Sequence, residues 1–322
     1  MERSILAPGA PGAGCWTLSD GRAGNVRQAS ALARALDLDA REWLLRPHAP
    51  WRWAAPRMLP GSRRAFGPEF ADALAQAPAL AIGCGRQGAL ATRLARRGGA
   101  RAVQILDPRL PPGLWDVVIA PRHDGLRGAN VLSLLGSLNP VDDAWLRLAR
   151  DTFPGPGRSP RPRIAFLLGG ASAHVRYGAA TLAGWLDTID AALARDGGQL
   201  MLAASRRTPA PLRDAIRARY AGGDALLWLD DADGINPYAG MVAWADRIVC
   251  SPDSVNMISE ACATYVPVFV AGSDRVRGRV RDFIDSLVAL GRVRPLGAGV
   301  APFQVEPLRE TERIARELRA LL

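Results

Sequence analysis

The sequence contains no lysine, and all 41 of its basic residues are arginine. Without an ε-amine the chain cannot form a Schiff base, use a lysine general base or build a phosphate-binding loop of the GxxxxGK[ST] type. The arginines exceed the 31 acidic residues by ten. They are scattered through every segment instead of forming one basic tail or stripe, which argues against a nucleic-acid partner. We interpret most of them as compositional bias, with anion binding at a few positions.

Cysteine, histidine and long apolar runs are also scarce. The four cysteines have no CxxC spacing and the three histidines no ligand spacing, so we expect buried free thiols, no metal site and no cofactor. No segment approaches ~18 uncharged apolar residues, and the first residues lack the apolar core of a signal peptide. We therefore expect a cytoplasmic protein, with a peripheral contact to the inner membrane as the alternative.

Short runs rich in Val, Ile and Leu alternate with stretches of helical period, which is typical of parallel sheets covered by helices. The predicted strands are Cys15–Leu18, Arg41–Leu45, Leu80–Cys84, Ala102–Leu106, Val117–Ala120, Asn130–Leu134, Ile164–Leu168, Gln199–Ala203, Ala225–Leu229, Arg247–Cys250 and Val266–Val270.

A break divides this pattern into two α/β halves. The Pro- and Gly-rich segment 153–163 predicts a linker between an N-terminal Rossmann-like domain, 1–152, and a C-terminal one, 164–322. The final helix, near 307–322, can pack on either domain. Doubly wound sheets bind ligands at the carboxyl ends of their strands, and paired domains bind them in the cleft between. Polar residues at those positions are therefore the candidates for ligand contacts.

In the first half, a polar loop follows the first strand. Glycine permits close backbone approach, and the N–H groups of a helix start attract anions, so this loop is a candidate substrate contact. The alternative is a simple turn in which Asp20 caps the helix. After the fifth strand, His123 beside Asp124 is an acid/base candidate, although most histidines are not catalytic. In the loop after the first strand and the helix start that follows it, the candidate substrate contacts are Gly21, Gly24, Asn25 and Gln28.

In the second half, Gly169 and Gly170 follow a buried strand and begin a turn that contains Ser172 and His174. Its amides and the Ser172 hydroxyl suit a diphosphate, although a plain turn explains the glycines as well. The next strand ends in Ser205-Arg206-Arg207-Thr208, where two guanidinium groups could bind phosphate oxygens bidentately. A solvated arginine pair is the alternative.

The most informative stretch is Ser251–Ala261. It predicts a helix from Pro252 to Ala263, with Ser251 as the cap and Asp253 at the positive end of the dipole. The helical period places Asp253, Asn256 and Glu260 on one face, where they could bind the hydroxyls of a ribose or sugar. The alternative is that Glu260 is solvated.

Upstream, Asn236 precedes another predicted helix. It could touch a base together with Tyr238, although helix capping alone explains it. A third feature, the segment 47–64, combines Trp51, Trp53 and Leu59 with four arginines. It suits anionic lipid headgroups or a lipid-linked acceptor, and the alternative is a Pro-rich loop packed on its own domain.

Taken in order, these motifs resemble the ELM-type mitochondrial-fission family, and the match runs along nearly the whole chain. The matching segments are Trp16–Gly24 with Gln28, Ile82–Arg86, Gln104–Arg109, Ala120–Asp124, Ser205–Pro209, Asn236–Tyr238 and Asp253–Ala261, which includes Ser254. One departure concerns the first loop. The family usually has histidine after its glycine, whereas this chain has Asn25, which cannot act as a base.

The second half also resembles the nucleotide-sugar domain of GT-B glycosyltransferases. There, a glycine turn meets the diphosphate and a helix glutamate binds donor hydroxyls, and Gly169, Gly170 and Glu260 occupy the matching positions. The resemblance implies two Rossmann-like domains facing a cleft, with a nucleotide-sugar donor and a glycan or lipid-linked acceptor as partners.

In this interpretation the protein is an inverting, metal-independent glycosyltransferase of the cell envelope. Asn236 and Glu260 orient the donor, and Asp20, or alternatively His123, deprotonates the acceptor. Two alternatives remain: a nucleotide-sugar epimerase on the same fold, which needs no acceptor, and a non-enzymatic membrane-associated adaptor, which binds no nucleotide. The groups expected to stabilise the diphosphate are Gly169, Gly170, Ser172, Arg206 and Arg207.

Overall fold

The computed structural model describes residues 14–170, 175–297 and 299–322. Within them the chain forms two compact units. The first comprises the described residues up to Pro140 together with Glu310–Leu322, and the second is Val141–Arg309. In the described part of the chain, no helix combines the length and the apolar character that crossing a membrane requires.

The first unit contains a six-stranded parallel sheet of order β2-β1-β3-β4-β5-β6. Strands β1, β3 and β5 are buried along their whole length, as their continuous apolar sequences predict for strands covered on both faces. The strands are β1 (Cys15–Ser19), β2 (Ala40–Leu44), β3 (Leu80–Cys84), β4 (Arg101–Ile105), β5 (Val117–Pro121) and β6 (Val131–Leu134).

Helices cover both faces of this sheet. The helices of the first unit are α1 (Ala23–Ala35), α2 (Trp51–Ala54), α3 (Pro68–Ala73), α4 (Gly85–Arg97) and α11 (Glu310–Arg319). One face packs on α1 and α11, with Leu32 and Ile314 fully buried. The other face packs on α4 and on the segment 45–77, which contributes Phe70 and Leu74 to the core.

The second unit repeats this architecture with a parallel sheet of order β12-β11-β10-β7-β8-β9. Its strands are β7 (Arg163–Leu168), β8 (Gln199–Ala204), β9 (Leu226–Trp228), β10 (Arg247–Cys250), β11 (Val268–Val270) and β12 (Val293–Pro295). Its helices are α5 (Asp143–Thr152), α6 (Ala179–Asp196), α7 (Ala210–Arg219), α8 (Tyr238–Trp244), α9 (Val255–Cys262) and α10 (Arg279–Ala289).

The two sheets confirm the predicted fold class of two doubly wound, Rossmann-like domains. The sequence did not predict β12, because only Val293 of its three residues is buried and no apolar run marks it. Each sheet has a point where the strand order reverses, between β1 and β3 in the first unit and between β7 and β10 in the second. Doubly wound sheets bind ligands at such points.

The division between the units differs from the predicted boundary. Helix α5 belongs to the second unit, because Leu146 and Ala149 pack against Ala243 of α8. The predicted linker 153–163 also lies inside that unit, where Trp244 donates a hydrogen bond to the carbonyl of Phe153 at 3.0 Å. It is a packed segment, and the chain passes between the units at Pro140–Val141 and at Arg309–Glu310.

Candidate functional site

Most of the polar residues singled out in the second half lie where the strand order reverses, between β7 and β10. These two strands pair in parallel, so their carboxyl ends lie at the same edge of the sheet. Gly169 and Gly170 follow β7, and the segment Ser251–Ser254 follows β10. The predicted Ser172 and its neighbour His174 lie outside the described residues.

The glycine turn approaches its neighbours too closely for any side chain. A Cβ atom at Gly169 would overlap the carboxylate of Asp253, and one at Gly170 would overlap the main-chain carbonyl of Arg207. The turn therefore requires glycine at both positions, as the sequence suggested. Both amides are already used, because Gly169 N–H donates to Ser251 Oγ at 2.7 Å and Gly170 N–H donates to Asp253 Oδ2 at 3.1 Å. The expectation that these amides bind the diphosphate directly therefore needs correction.

Asp253 lies at the centre of this network, with a side chain that is 0% exposed. Its Oδ2 accepts a hydrogen bond from Arg207 Nη2 at 2.7 Å in addition to the Gly170 amide. Its Oδ1 accepts one from the Ser251 hydroxyl at 2.7 Å. The buried charge is therefore paired and hydrogen-bonded, as a buried carboxylate must be. Asp253 organises the glycine turn and Arg207 and does not face solvent.

This role corrects the predicted start of the following helix. Helix α9 begins at Val255 and not at Pro252, and its cap is Ser254, whose hydroxyl accepts the N–H of Met257 at 3.3 Å. Asp253 lies before the helix because its carboxylate turns back to Ser251 and Gly170. It therefore does not share a helical face with Glu260. Val255 and Asn256 are the first two residues of the helix. Because no helical turn precedes them, their N–H groups have no carbonyl acceptor within the helix.

Glu260 on α9 is a buried carboxylate. Its residue is 2% exposed, which contradicts the solvated alternative. The Tyr238 hydroxyl, at the start of α8, donates to Glu260 Oε2 at 2.5 Å. Asn236 is exposed and accepts the Tyr238 N–H at 2.9 Å in a turn just before α8; the N-cap of that helix is Pro237, so the predicted start, with Asn236 as cap and Pro237 as first helical residue, is wrong by one residue. Asn236, Tyr238 and Glu260 are thus linked by hydrogen bonds.

The two predicted arginines differ in their surroundings. Arg207 is half-exposed and held by Asp253, whereas Arg206 is exposed. The hydroxyls beside them shape the turn: Thr208 donates to the Gly169 carbonyl at 2.5 Å, and Ser205 Oγ accepts the Arg207 N–H at 3.2 Å.

Sequence reasoning missed one aromatic residue of this site. The hydroxyl of Tyr177 is buried near Ser251 and Asp253, and its ring packs on Trp185 with ring centroids 4.9 Å apart. Burial, and then the negative charge of Asp253, raises the pKa of Tyr177 well above its usual range. Tyr177 therefore remains a neutral hydroxyl beside the buried carboxylate. No motif in the sequence marks it.

In the first unit, the loop after β1 packs on the turn between β3 and α4. Asp20 Oδ1 accepts a hydrogen bond from Asn25 Nδ2 at 2.8 Å. Gly85 has a φ of +75°, and a Cβ there would lie 2.7 Å from Asn25 Nδ2, so this contact also requires glycine. Gly21 takes a left-handed φ of 76°, Gly24 lies in the first turn of α1 and Gln28 is buried further along that helix.

The two acid/base candidates lie apart. Asp20 follows β1, whereas His123 lies in a 3-10 turn after β5, and the strands β3 and β4 separate them. Three strand spacings correspond to about 14 Å, which is too far for a direct proton relay. A further polar residue at this edge is Gln104 of β4, which is fully buried and donates to the Gly85 carbonyl at 3.2 Å.

The four cysteines are buried and free. Burial raises the pKa of Cys15 to about 12 and that of Cys262 to about 11. Burial raises the pKa of Cys250 as well, and the negative charges of Cys262, Glu260 and Asp253 raise it further.

We expect the native protein to be inert to a thiol-reactive disulfide at neutral pH and all four cysteines to react after unfolding, because the thiolate is the reactive form. As the pH rises above 9.0, the thiols ionise in the unfolded chain but remain protonated in the folded one, so the free energy of unfolding falls. Thiol titration with and without denaturant measures the first effect, and denaturant melts at several pH values measure the second. Rapid reaction of any native thiol would contradict this assignment.

In residues 14–170, 175–297 and 299–322, no three His, Cys, Asp or Glu side chains are grouped so as to hold a metal ion.

Among solved structures, the chain resembles UDP-GlcNAc 2-epimerase from Methanocaldococcus jannaschii, solved with UDP-GlcNAc and UDP. The TM-score is 0.53 at 14% identity, covering 95% of this chain and 99% of the other. The UDP-N-acetylglucosamine 2-epimerase from Rickettsia bellii gives a TM-score of 0.51 at 12% identity, covering 96% and 95%. At these identities the likeness shows a shared GT-B-like fold.

Sequence comparison gives a closer relationship. The chain is 30% identical over 277 residues to mitochondrial fission protein ELM1 of Arabidopsis thaliana, covering 76% of this chain and 64% of that protein's length. The model of the family described as Mitochondrial fission ELM1 matches residues 23–322. The chain therefore belongs to the Mitochondrial fission ELM1 family.

Proposed function

We propose that the second unit binds a nucleotide sugar at the edge between β7 and β10 and that the protein transfers its sugar to an acceptor held by the first unit. The observation that supports this most directly is Glu260, a buried carboxylate bonded to Tyr238 on α9, the helix that follows the parallel strand β10. A carboxylate in this position can accept hydrogen bonds from two neighbouring ribose hydroxyls, which is the role that the GT-B resemblance gives it.

In this proposal the diphosphate lies at the start of α9. The first amides of that helix, Val255 and Asn256, and the exposed Arg206 supply donors and positive charge. Arg207, kept in place by Asp253, adds a second guanidinium group. Gly169 and Gly170 contribute by permitting close approach. Charge on the leaving diphosphate is then stabilised by arginine and amides, and the reaction requires no metal ion.

The acceptor would bind at the carboxyl edge of the first sheet, beside Asp20. Displacement of the diphosphate by an acceptor hydroxyl forms one C–O bond, breaks the bond between sugar and phosphate, and releases one proton. Asp20, oriented by its bond from Asn25, is the proposed base for an inverting displacement. His123 is the second candidate. An envelope glycan or a lipid-linked precursor is the proposed acceptor class.

The test is a thermal-shift series with UDP, UDP-GlcNAc and the other nucleoside diphosphates and their sugars. A ligand at about 100 times its Kd adds roughly 2.7 kcal/mol to the free energy of unfolding, or about 5–10 °C in Tm. If no nucleotide raises Tm, the transferase proposal is wrong, and a non-enzymatic adaptor function is favoured. Asp20→Asn is expected to abolish turnover and to leave the ligand-induced shift intact. Unchanged turnover would remove Asp20 from the mechanism.

An epimerase is the second candidate, because both solved structures described above are UDP-GlcNAc 2-epimerases. It predicts conversion of the nucleotide sugar without an added acceptor. Incubation of the protein with UDP-GlcNAc alone, followed by chromatography of the sugar nucleotide, separates the two activities. A new isomer in this sample favours the epimerase, and an unchanged donor that reacts only with acceptor favours the transferase.

A further inference from the structure

The positive charge of the chain is concentrated in one layer of the first unit. Residues 41–98 contain ten arginines and three acidic residues, so they carry +7 of the net charge of +10. Apart from residues 41–44 of β2 and the buried strand β3, these residues cover one face of the sheet, and we call them the basic layer. Arg86 and Arg93 of α4 donate to the carbonyls of Arg52 (2.9 Å) and Pro56 (2.7 Å), which ties the segment 47–64 to that helix.

Large apolar side chains are exposed among these arginines. Trp53 is 66% exposed and Leu59 37%. The Arg52 guanidinium lies 5.4 Å from the centre of the Trp53 ring. A tryptophan among arginines suits the boundary between lipid headgroups and acyl chains. There the indole ring and the aliphatic parts of the arginine side chains contact hydrocarbon, and the guanidinium groups contact phosphate.

A cavity of about 350 Å³ lies in the same layer, beside Leu59. Leu74 and Leu94 give it an apolar floor, and Arg63 and Arg97 line it with positive charge. Burial and, after it, the charge of Arg97 lower the pKa of the neighbouring Arg93. Cationic groups therefore crowd together here. A cavity lined by two arginines and by leucines fits an anionic group attached to an apolar chain.

We propose that the basic layer docks on the surface of an anionic phospholipid bilayer. Trp53 and Leu59 enter the interface, and the phosphodiester of one lipid lies between Arg63 and Arg97. The positive charge complements the anionic surface, and each arginine near such a surface contributes about fivefold to binding. Exposed Trp53 and Leu59, together with the apolar side of the cavity, favour a bilayer over a nucleic acid, because the aliphatic groups gain nothing from phosphate or base edges. This proposal is independent of nucleotide-sugar binding.

The test is co-sedimentation of the full chain with vesicles of phosphatidylcholine alone or mixed in equal parts with phosphatidylglycerol. We expect binding only to the mixed vesicles and weaker binding as salt rises. The double variant Arg63→Ala/Arg97→Ala should bind about thirtyfold more weakly. The matched control Arg275→Ala/Arg277→Ala removes two exposed arginines from the second unit and should bind like the wild type.

Trp53→Ser tests the apolar contact. The Trp53 side chain is exposed and lies outside the core, and circular dichroism verifies that each variant is folded. Loss of vesicle binding by this variant supports the proposal. Equal loss in both arginine pairs would show a general charge effect and overturn the assignment to the basic layer. Failure to bind mixed vesicles, or tighter binding to RNA that Trp53→Ser leaves unchanged, would overturn the bilayer as the partner.

Discussion

Replacing Asp253 with alanine is expected to lower the free energy of unfolding by about 3–5 kcal/mol. The substitution leaves the buried Gly170 amide and Ser251 hydroxyl without their acceptor and releases Arg207 from its partner. Equilibrium unfolding in urea measures the loss. Asp253→Asn keeps an acceptor oxygen and removes only the charge, so we expect a smaller loss and a folded protein in which ligand binding can be measured.

Asp246→Ala is the matched control. Asp246 is also paired with arginine, accepting the N–H of Arg163 at 2.8 Å and its Nε at 3.1 Å, but it lies at the opposite, amino-terminal end of the sheet. We expect the Asp246→Ala variant to be less stable than the wild type but to bind the nucleotide with unchanged affinity. The Asp253→Asn variant should lose both stability and affinity. A stability loss for Asp253→Ala no larger than that of an exposed ion pair such as Arg281–Asp285 would contradict the proposed role of Asp253 in organising the glycine turn.

The second large effect concerns Glu260. Glu260→Gln keeps the size of the side chain and one acceptor oxygen but removes the charge and the second acceptor, so we expect the thermal shift caused by a nucleotide sugar to fall by about half or more. A hydrogen bond to a charged acceptor contributes about 1.5–3 kcal/mol, so the loss of one corresponds to at least about tenfold weaker binding. Isothermal calorimetry of wild type and variant with the ligand identified in the thermal-shift series provides the affinity ratio.

Glu310→Gln is a control of the same chemistry in the first unit, where buried Glu310 accepts the Leu135 N–H at 2.7 Å. It should lower stability and leave the ligand-induced shift unchanged. If Glu260→Gln binds the nucleotide sugar as tightly as the wild type, Glu260 is a structural residue that only anchors Tyr238.

Several parts of the site were predictable because they depend on local patterns. Gly169 and Gly170 follow a buried strand, and Glu260 follows another at helical spacing, so their position at the sheet edge could be inferred from sequence. The start of α9 could not be inferred from sequence, because Ser251 and Ser254 are both good helix caps. The hydrogen bond from the Gly170 amide to Asp253, between residues distant in sequence, decides between them. Tyr177 was missed for the same reason, because only packing brings it to Asp253.

The distribution of charge provides a similar contrast. Along the sequence the arginines look scattered, because every segment contains some of them. In the fold, those of residues 41–98 lie in one layer, since this segment covers a single face of the first sheet. The segment predicted to be a linker lies inside the second unit, because apolar contacts between α5 and α8 make α5, which precedes it, part of that unit.

By itself, the sequence determined the class of fold and the positions of the loops that carry chemistry. Alternating apolar runs and helical periods specify parallel sheets, and glycines mark the turns that follow the strands. Tertiary structure decided what each polar residue does. The free energy of a carboxylate depends on its burial and on its hydrogen-bond partners. Both are set by residues far apart in the chain: Asp253 is buried among three donors, and Glu260 is paired with Tyr238.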